Sequence, residues 1–302
     1  MGNILITGAT GLIGQEIVKI CHDQNLIVHY LTTSKNKITT EENYKGFYWN
    51  PSHNEIDERC FHGVSTIINL VGATISKRWT TAYKKEIISS RTEAVKLLRA
   101  TIEIHKFPVK QFVSASAIGV YPDSITNYYE ENETKLSYSF LGEVVKQWET
   151  AVDAFLSLGI KVAKIRIGLV LSKKGGALPQ IAKPIRFGVG AAFGTGEQWQ
   201  SWIHVDDLAR LFVFVVTKNL DGVYNAVSPN PVTNRELIKT VAKILHKPLM
   251  LPNIPKFVMK FVLGEMHVLL FESQRVSAAK VENTGFYFEY HHLEPALLEL
   301  FD

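Results

Sequence analysis

The chain has 302 residues, and 46% hydrophobic with 21% charged side chains is an ordinary globular composition that excludes a disordered or low-complexity protein. The net charge of +4 is spread without a dense basic run, so no nucleic acid is expected as partner and the mild excess favours anionic small ligands. Two cysteines, Cys21 and Cys60, make no disulfide framework, no basic and cleavable apolar segment precedes the first strand, and no apolar run is long enough to span a bilayer. The expectation is a cytoplasmic protein with no membrane contact.

Short apolar runs at 4–6, 26–31, 47–49, 66–71, 111–113 and 162–165 predict strands. Between them the apolar period is helical: Ile13, Ile17, Ile20 and Cys21 line one face, and Ile87, Ala94, Val95, Leu98 and Ile102 another. Long helices are expected over 81–105 and 140–158, the second stopped by Gly159. Strands apolar on both faces and joined by crossover helices predict an α/β fold with a doubly wound parallel sheet. After Arg166 the rhythm breaks in Gly- and Pro-rich stretches at 168–196 and 228–231. Residues 1–166 are therefore read as a nucleotide-binding domain, to which about 200–227 return, and 167–302 as a smaller substrate-side lobe with helices over 234–245 and 256–271.

The first strand runs into Gly8-Ala9-Thr10-Gly11-Leu12-Ile13-Gly14 and then a helix. Glycines at the turn let a backbone approach a pyrophosphate, the last lets helix and strand pack, and the helix N-terminus supplies free N–H groups. Gly8, Thr10, Gly11, Leu12, Ile13 and Gly14 are thus candidate dinucleotide-binding residues. The second strand ends in Thr32-Thr33-Ser34-Lys35, with no carboxylate before Glu41. Hydroxyls and an ammonium at Thr33, Ser34 and Lys35 suit a ribose 2′-phosphate, so NADP(H) is favoured and NAD(H) is the alternative.

Further blocks follow in order: Asn69-Leu70-Val71-Gly72-Ala73, Lys77-Arg78-Trp79, Ser114-Ala115-Ser116-Ala117-Ile118-Gly119-Val120-Tyr121, Trp148-Glu149, Gly175-Gly176-Ala177-Leu178, Ser201-Trp202-Ile203-His204-Val205-Asp206-Asp207 and Asn225 to Val232. With the glycine loop they make the chain resemble extended short-chain dehydrogenase/reductases over nearly its whole length. The likeness is strongest to an atypical branch, the NAD-dependent epimerase/dehydratase-like family with a small C-terminal domain of unknown function. The resemblance implies that Leu70, Val71, Gly72, Ala73, Ser114 and Arg91 attend the cofactor and that the Ser116 hydroxyl meets a substrate carbonyl. In that superfamily a Tyr and a Lys four residues later do the proton work. Here either register sets Phe140 or Leu141 at the Tyr and Val144 or Val145 at the Lys, so the pair is missing and Tyr121 becomes the candidate acid.

Lys77, Arg78, Trp79, Trp202 and His204 are candidate substrate residues, two cations and an aromatic wall facing an anion and two residues shaping a pocket. Gln200 stands where nucleotide-sugar epimerases carry a diphosphate-gripping Arg, which disfavours a sugar nucleotide. No His, Cys or carboxylate spacing predicts a metal. The expected protein is an NADP(H)-binding oxidoreductase or epimerase-like enzyme for a small polar carbonyl or hydroxyl compound, monomeric or homodimeric. The alternative is an NADP(H)-binding regulatory protein with impaired catalysis.

Overall fold

The computed structural model describes residues 2–302. Its first half runs β1 (Asn3–Thr7), α1 (Leu12–Asp23), β2 (Val28–Thr32), β3 (Tyr44–Asn50), β4 (Glu55–Ile56), β5 (Val64–Asn69), α2 (Thr81–His105), β6 (Gln111–Ala117), β7 (Tyr128–Tyr129), α3 (Phe140–Asp153) and β8 (Lys161–Ile167). The second half runs β9 (Leu169–Leu171), α4 (Ala177–Arg186), β10 (Trp199–Gln200), β11 (Trp202–His204), α5 (Val205–Thr217), β12 (Gly222–Ala226), β13 (Val232–Thr233), α6 (Asn234–Ile244), α7 (Lys256–Leu263), α8 (Val268–Phe271), β14 (Arg275–Val276), α9 (Ala279–Asn283) and α10 (Leu293–Phe301).

The main sheet has the order β12-β8-β6-β5-β1-β2-β3-β4 and is parallel except for β4, which pairs antiparallel with β3. From β1 the chain steps outward through β2 and β3, then returns to the other side of β1 through β5, β6, β8 and β12. The strand order therefore reverses between β1 and β5, and the crevice at their carboxyl ends is where open α/β sheets bind ligands. Every residue of β2 and four of the five in β1 are buried, because helices cover both faces. The helix α1 turns Ile17 and Cys21 onto the sheet, and α2 turns Ala94, Val95, Leu98 and Ile102. A short 3₁₀ turn continues α3 to Leu158, where Gly159 ends it with φ +72°.

A second apolar cluster joins Leu178 and Ile185 of α4, Leu237 and Val241 of α6, Leu297 and Leu300 of α10, and Trp202. The expected single helix over 256–271 is interrupted. It divides into α7, a 3₁₀ turn Gly264–His267 and α8, because Gly264 adopts φ +59° and ψ −136°, a positive-φ conformation that breaks α-helical hydrogen bonding. Among the described residues, no helix is long and apolar enough to cross a membrane. Both cysteines are free and buried, and burial pushes the Cys21 thiol up to about 12, which leaves it unreactive.

One buried polar network fixes the carboxyl edge of the sheet. Ser116, Arg166 and Asn225 sit in register across β6, β8 and β12, and Glu149 reaches them from α3. Glu149 Oε1 accepts from Ser116 Oγ at 2.6 Å and from Arg166 Nε at 2.9 Å, and Oε2 accepts from Arg166 Nη2 at 3.0 Å. Arg166 Nη1 donates to Tyr121 Oη at 2.9 Å, which itself donates to Asn225 Oδ1 at 2.8 Å. Burial alone would raise the Glu149 carboxyl, but Arg166, Ser116 and Lys164 outweigh it and hold the group below its ordinary range.

Replacing Glu149 with Ala strands the Arg166 charge and should lower unfolding free energy by about 3–5 kcal/mol. Because the folded carboxyl is depressed, its contribution is complete above the ordinary carboxylate range and is lost as pH falls through the folded value. Denaturant melts at several pH values should therefore show a steeper acid loss in the wild type than in Glu149→Gln, and superimposable acid limbs would refute the assignment. In α6, Thr233 Oγ1 accepts from Glu236 N at 3.2 Å while Glu236 Oε2 accepts from Thr233 N at 2.7 Å, a reciprocal cap. Thr233→Ala should cost about 1 kcal/mol in the same melts.

Candidate functional site

The loop from β1 into α1 is shaped by its glycines. Gly8 has φ +73°, which a side chain would strain. A Cβ on Gly14 would lie 2.2 Å from the Gly8 carbonyl oxygen and 2.7 Å from Ala9 Cα, so only hydrogen fits where α1 meets the loop. Gly11 is the N-cap and gives the first-turn amides no side-chain acceptor, and the first turn carries no acid. The backbone N–H groups of Leu12 and Ile13 have no acceptor within α1, as at any helix start. Thr10 is exposed beside them, and Lys174, unremarked in the sequence, pairs with Glu16 at 2.6 Å on the same helix. These features fit a pyrophosphate.

At the end of β2, Thr33 is exposed, Ser34 half-buried, and Lys35 begins a 3₁₀ turn Lys35–Lys37 that brings a second ammonium, Lys37, to the same corner. Lys35 Nζ lies 5.0 Å from the centre of the Tyr48 ring. At the end of β5, Leu70, Val71 and Ala73 are half-buried, while Gly72 is exposed and leaves room for Arg91, whose Cζ would be 2.7 Å from a Cβ there. Ser114 lies in β6, paired with Asn69 of β5. It is fully buried, accepts from Asn69 Nδ2 at 3.0 Å and donates to the Ala115 carbonyl at 2.9 Å, and Asn69 in turn accepts from Thr7 Oγ1 at 2.8 Å. This chain of bonds ties β1, β5 and β6 together.

A cleft of about 220 Å³ opens at the same carboxyl edge, with Ala117 from β6, Ile167 from β8, and Leu141 and Val145 from α3 among its walls. Leu141 and Val145 stand one turn apart on the cleft, whereas Phe140 turns away to meet Trp79 edge-on at 5.0 Å. The cleft face of α3 at the proton-relay spacing is therefore Leu141 and Val145.

Ser116 and Tyr121, the catalytic candidates from the sequence, both lie in the buried network beside the cleft. Ser116 belongs to the Glu149 network, and its neighbour Ala117 takes the place on the cleft wall, as strand alternation requires. Tyr121 is fully buried, its hydroxyl already bonded to Asn225 and Arg166, and burial is the main influence holding its phenol above the ordinary value.

The charged groups on the cleft are Arg91 and Glu272. Arg91 Nη1 donates to the Ile87 carbonyl at 2.8 Å and its guanidinium lies 5.1 Å from the Trp148 ring centre. Among the described residues, Arg91 Nε and Trp148 Nε1 are buried donors with no acceptor. Burial brings the Arg91 guanidinium down to about 10. Burial likewise raises the Glu272 carboxyl above its ordinary value, against a weak bond from Gln274 Nε2 at 3.4 Å. Gln200 and Gln274 complete the polar lining.

The expected substrate residues do not gather there. Lys77 and Arg78 are exposed on the loop before α2, with Lys77 Nζ 5.6 Å from the Tyr83 ring centre. Trp79 is core, packed with Ile87, Val144 and Met266, its Nε1 donating to Ile75 O at 2.9 Å. Trp202 is core in the smaller cluster and donates to Asn230 O at 2.9 Å. His204 is buried, stacked 3.9 Å from Tyr290, with Nε2 2.9 Å from Glu299 and Nδ1 accepting from Asp206 N to cap α5. Reasoning from sequence missed Glu272, which lies far along the chain with no motif around it. Gln200 carried a signal, as the substitute for an expected Arg.

Comparison with known proteins agrees with this architecture. The NAD dependent epimerase/dehydratase family matches residues 4–226, and DUF1731, a domain of unknown function, matches residues 254–300. An epimerase family protein of Staphylococcus epidermidis is 34% identical over 305 residues, 99% of both chains. Epimerase family protein YfhF of Bacillus subtilis is 34% identical over 299 residues, 99% of this chain and 97% of the relative. Among solved structures, human epimerase family protein SDR39U1 (isoform 2), determined with NADPH, superposes with a TM-score of 0.84 at 25% identity, covering 99% of this chain and 98% of that one. UDP-glucose 4-epimerase of Thermus thermophilus in complex with NAD gives 0.78 at 18% identity over 99% and 97%, a likeness of fold. The chain belongs to the NAD dependent epimerase/dehydratase family.

Proposed function

We propose that this protein is an NADP(H)-dependent oxidoreductase or epimerase-like enzyme acting on a small carbonyl or hydroxyl compound. The observation that carries the reading is the placement of the glycine loop and of a cleft bearing Arg91 and Glu272 at the same carboxyl edge of one parallel sheet. The SDR39U1 structure with NADPH supports the choice of cofactor. In this reading Gly8, Thr10, Gly11, Leu12, Ile13 and Gly14 receive the pyrophosphate, and Thr33, Ser34, Lys35 and Lys37 receive the 2′-phosphate. Leu70, Val71, Gly72 and Ala73 flank the adenosine side.

When bound, the dinucleotide supplies or accepts hydride. The proton then falls to Glu272, since Ala117, Leu141 and Val145 offer none. A carboxyl raised by burial keeps a protonated fraction closer to neutral pH, from which it gives a proton to a carbonyl oxygen during reduction and takes it back in the reverse direction. Arg91 and Trp148 have unmet N–H groups on the same cleft, which suits a ligand bringing oxygen acceptors. The other walls, Leu141, Val145, Ile75 and Leu269 among them, are apolar and favour a substrate with an apolar body over the polar compound expected from sequence. Gln200 on the wall supplies no charge for a sugar diphosphate.

A second reading, a regulatory NADP(H)-binding protein with impaired catalysis, is favoured by one observation, the apolar trio Ala117, Leu141 and Val145 on the cleft. Tight NADPH binding without NADPH oxidation across a broad panel of small aldehydes and ketones would establish it over the first.

Calorimetry should show NADPH binding more tightly than NADH, with the preference cut about tenfold in Lys35→Ala/Lys37→Ala; equal affinities in the wild type would remove the NADP(H) assignment. Glu272→Gln should slow carbonyl reduction by about 10²-fold at neutral pH while leaving NADPH affinity unchanged. Wild-type reduction should decline as pH rises through the raised carboxyl value, and that decline should vanish in the variant. A Glu272→Gln enzyme with an unaltered rate and pH profile would exclude Glu272 as the acid.

A further inference from the structure

The C-terminal region presents an apolar face that the dinucleotide site leaves unused. No residue of α7 is buried. Phe257 is 74% exposed and Phe261, one turn on, 90%, with Val258 and Val262 exposed beside them, while Met259 and Leu263 turn inward and are half-buried. Met250, 74% exposed, and Leu251 precede the helix. The segment 192–194 is bonded to Ile254 just ahead of α7, Ile254 N donating to Ala192 O at 2.8 Å and Gly194 N to Ile254 O at 2.9 Å. That segment continues from a turn with Phe187 and Val189 exposed. Aromatic side chains so fully exposed, clustered in two joined stretches, exceed the scattered apolar exposure normal on a soluble surface.

Charge tells what covers this face. Residues 247–263 contain Lys247, Lys256 and Lys260 and no Asp or Glu, and the turn with Phe187 and Val189 follows Lys183 and Arg186. Lys256 and Lys260 stand one turn apart on the flank of α7, next to the phenylalanines. The exposed carboxylate that follows the helix, Glu265, is already paired with Lys84. A second copy seated here by two-fold symmetry would set these cations against each other with no carboxylate from either segment to meet them. An aromatic face flanked by exposed lysines, on a helix too short to span, is the pattern of an in-plane membrane-surface element.

We propose that α7, with the adjoining 187–189 and 250–251 segments, docks this protein on anionic lipid bilayers, Phe257 and Phe261 entering the acyl boundary and Lys256 and Lys260 meeting lipid phosphates. This departs from the expectation of no membrane contact, which rested on the lack of a spanning segment. Surface docking needs none, and the inference is independent of the reaction proposed above.

The test is flotation of the full chain with vesicles of phosphatidylcholine alone and of phosphatidylcholine mixed with phosphatidylglycerol. The wild type should float with the mixed vesicles, weakly with the neutral ones, and less at high salt. Phe257→Ser/Phe261→Ser and Lys256→Glu/Lys260→Glu should each lower partitioning about tenfold or more. Because these side chains are exposed, both variants should keep the wild-type melting temperature and NADPH affinity. No wild-type flotation, equal flotation with neutral vesicles, or unchanged flotation of either variant would overturn the proposal. So would a solution dimer that Phe257→Ser/Phe261→Ser dissociates and that mixed vesicles do not compete away, since the face would then be an interface between copies.

Discussion

A guanidinium buried at the carboxyl edge of a parallel sheet must have its charge matched and its N–H groups accepted, or the edge does not form. Arg166 meets that demand with both oxygens of Glu149 and with the Tyr121 hydroxyl, and the same carboxylate accepts a hydrogen bond from the Ser116 hydroxyl. Four elements, β6, β8, α3 and the loop after β6, are fixed by this one cluster, with β12 joined through Asn225. The cleft is built on a rigid floor whose polar groups are already committed. Ser116 and Tyr121 have their hydroxyls engaged in this cluster, and the charged side chains that reach the cleft come from α2 and from the C-terminal region.

That division explains what could be read in advance. Strand and helix alternation, the reversal of strand order, the tight junction at Gly8 and Gly14 and the stop at Gly159 are local properties, written in periodicity and in the conformational freedom of single residues. The missing Tyr and Lys were equally visible, although only the packing of Phe140 on Trp79 decides that Leu141 and Val145 are the pair on the cleft. What sequence hides is the direction of a side chain at a strand end. Ser116 and Ala117 differ by one position and so face opposite sides, and neighbours in a polar or aromatic block carry no sign of which will be absorbed by the core. Trp79, Trp202 and His204 were absorbed, each with its polar atom satisfied by a carbonyl, an amide or a carboxylate.

The cleft that results differs in kind from a phenol and ammonium relay. Leu141 and Val145 dry one wall, and a dry wall strengthens whatever electrostatic interactions remain. Arg91 is held without a carboxylate partner and Glu272 without a cation in contact, so each carries the desolvation cost of its charge. Two opposite ionisable groups on one apolar cleft that do not pair with each other are groups whose partners arrive with a ligand. This is the physical ground for the proposal that Arg91 binds the ligand and Glu272 transfers the proton, and it is independent of motif spacing.

The interruption at Gly264 connects the inner and outer faces of the C-terminal region. A continuous helix from 256 to 271 would place the residues after Leu263 on the same cylinder as Met259, and its inward stripe would run on unchanged. The positive-φ break at Gly264 instead restarts the chain in a new direction, so that Met266 joins Trp79 and Val144 in a small core and Leu269 and Glu272 reach the cleft wall. With those apolar groups drawn inward after the turn, α7 keeps only Met259 and Leu263 as its inward contacts and is left to present Phe257 and Phe261 to the outside. One backbone conformation therefore bears on both the place of Glu272 in the cleft and the aromatic face on the surface. An alanine at 264 that straightened the helix would displace both at once.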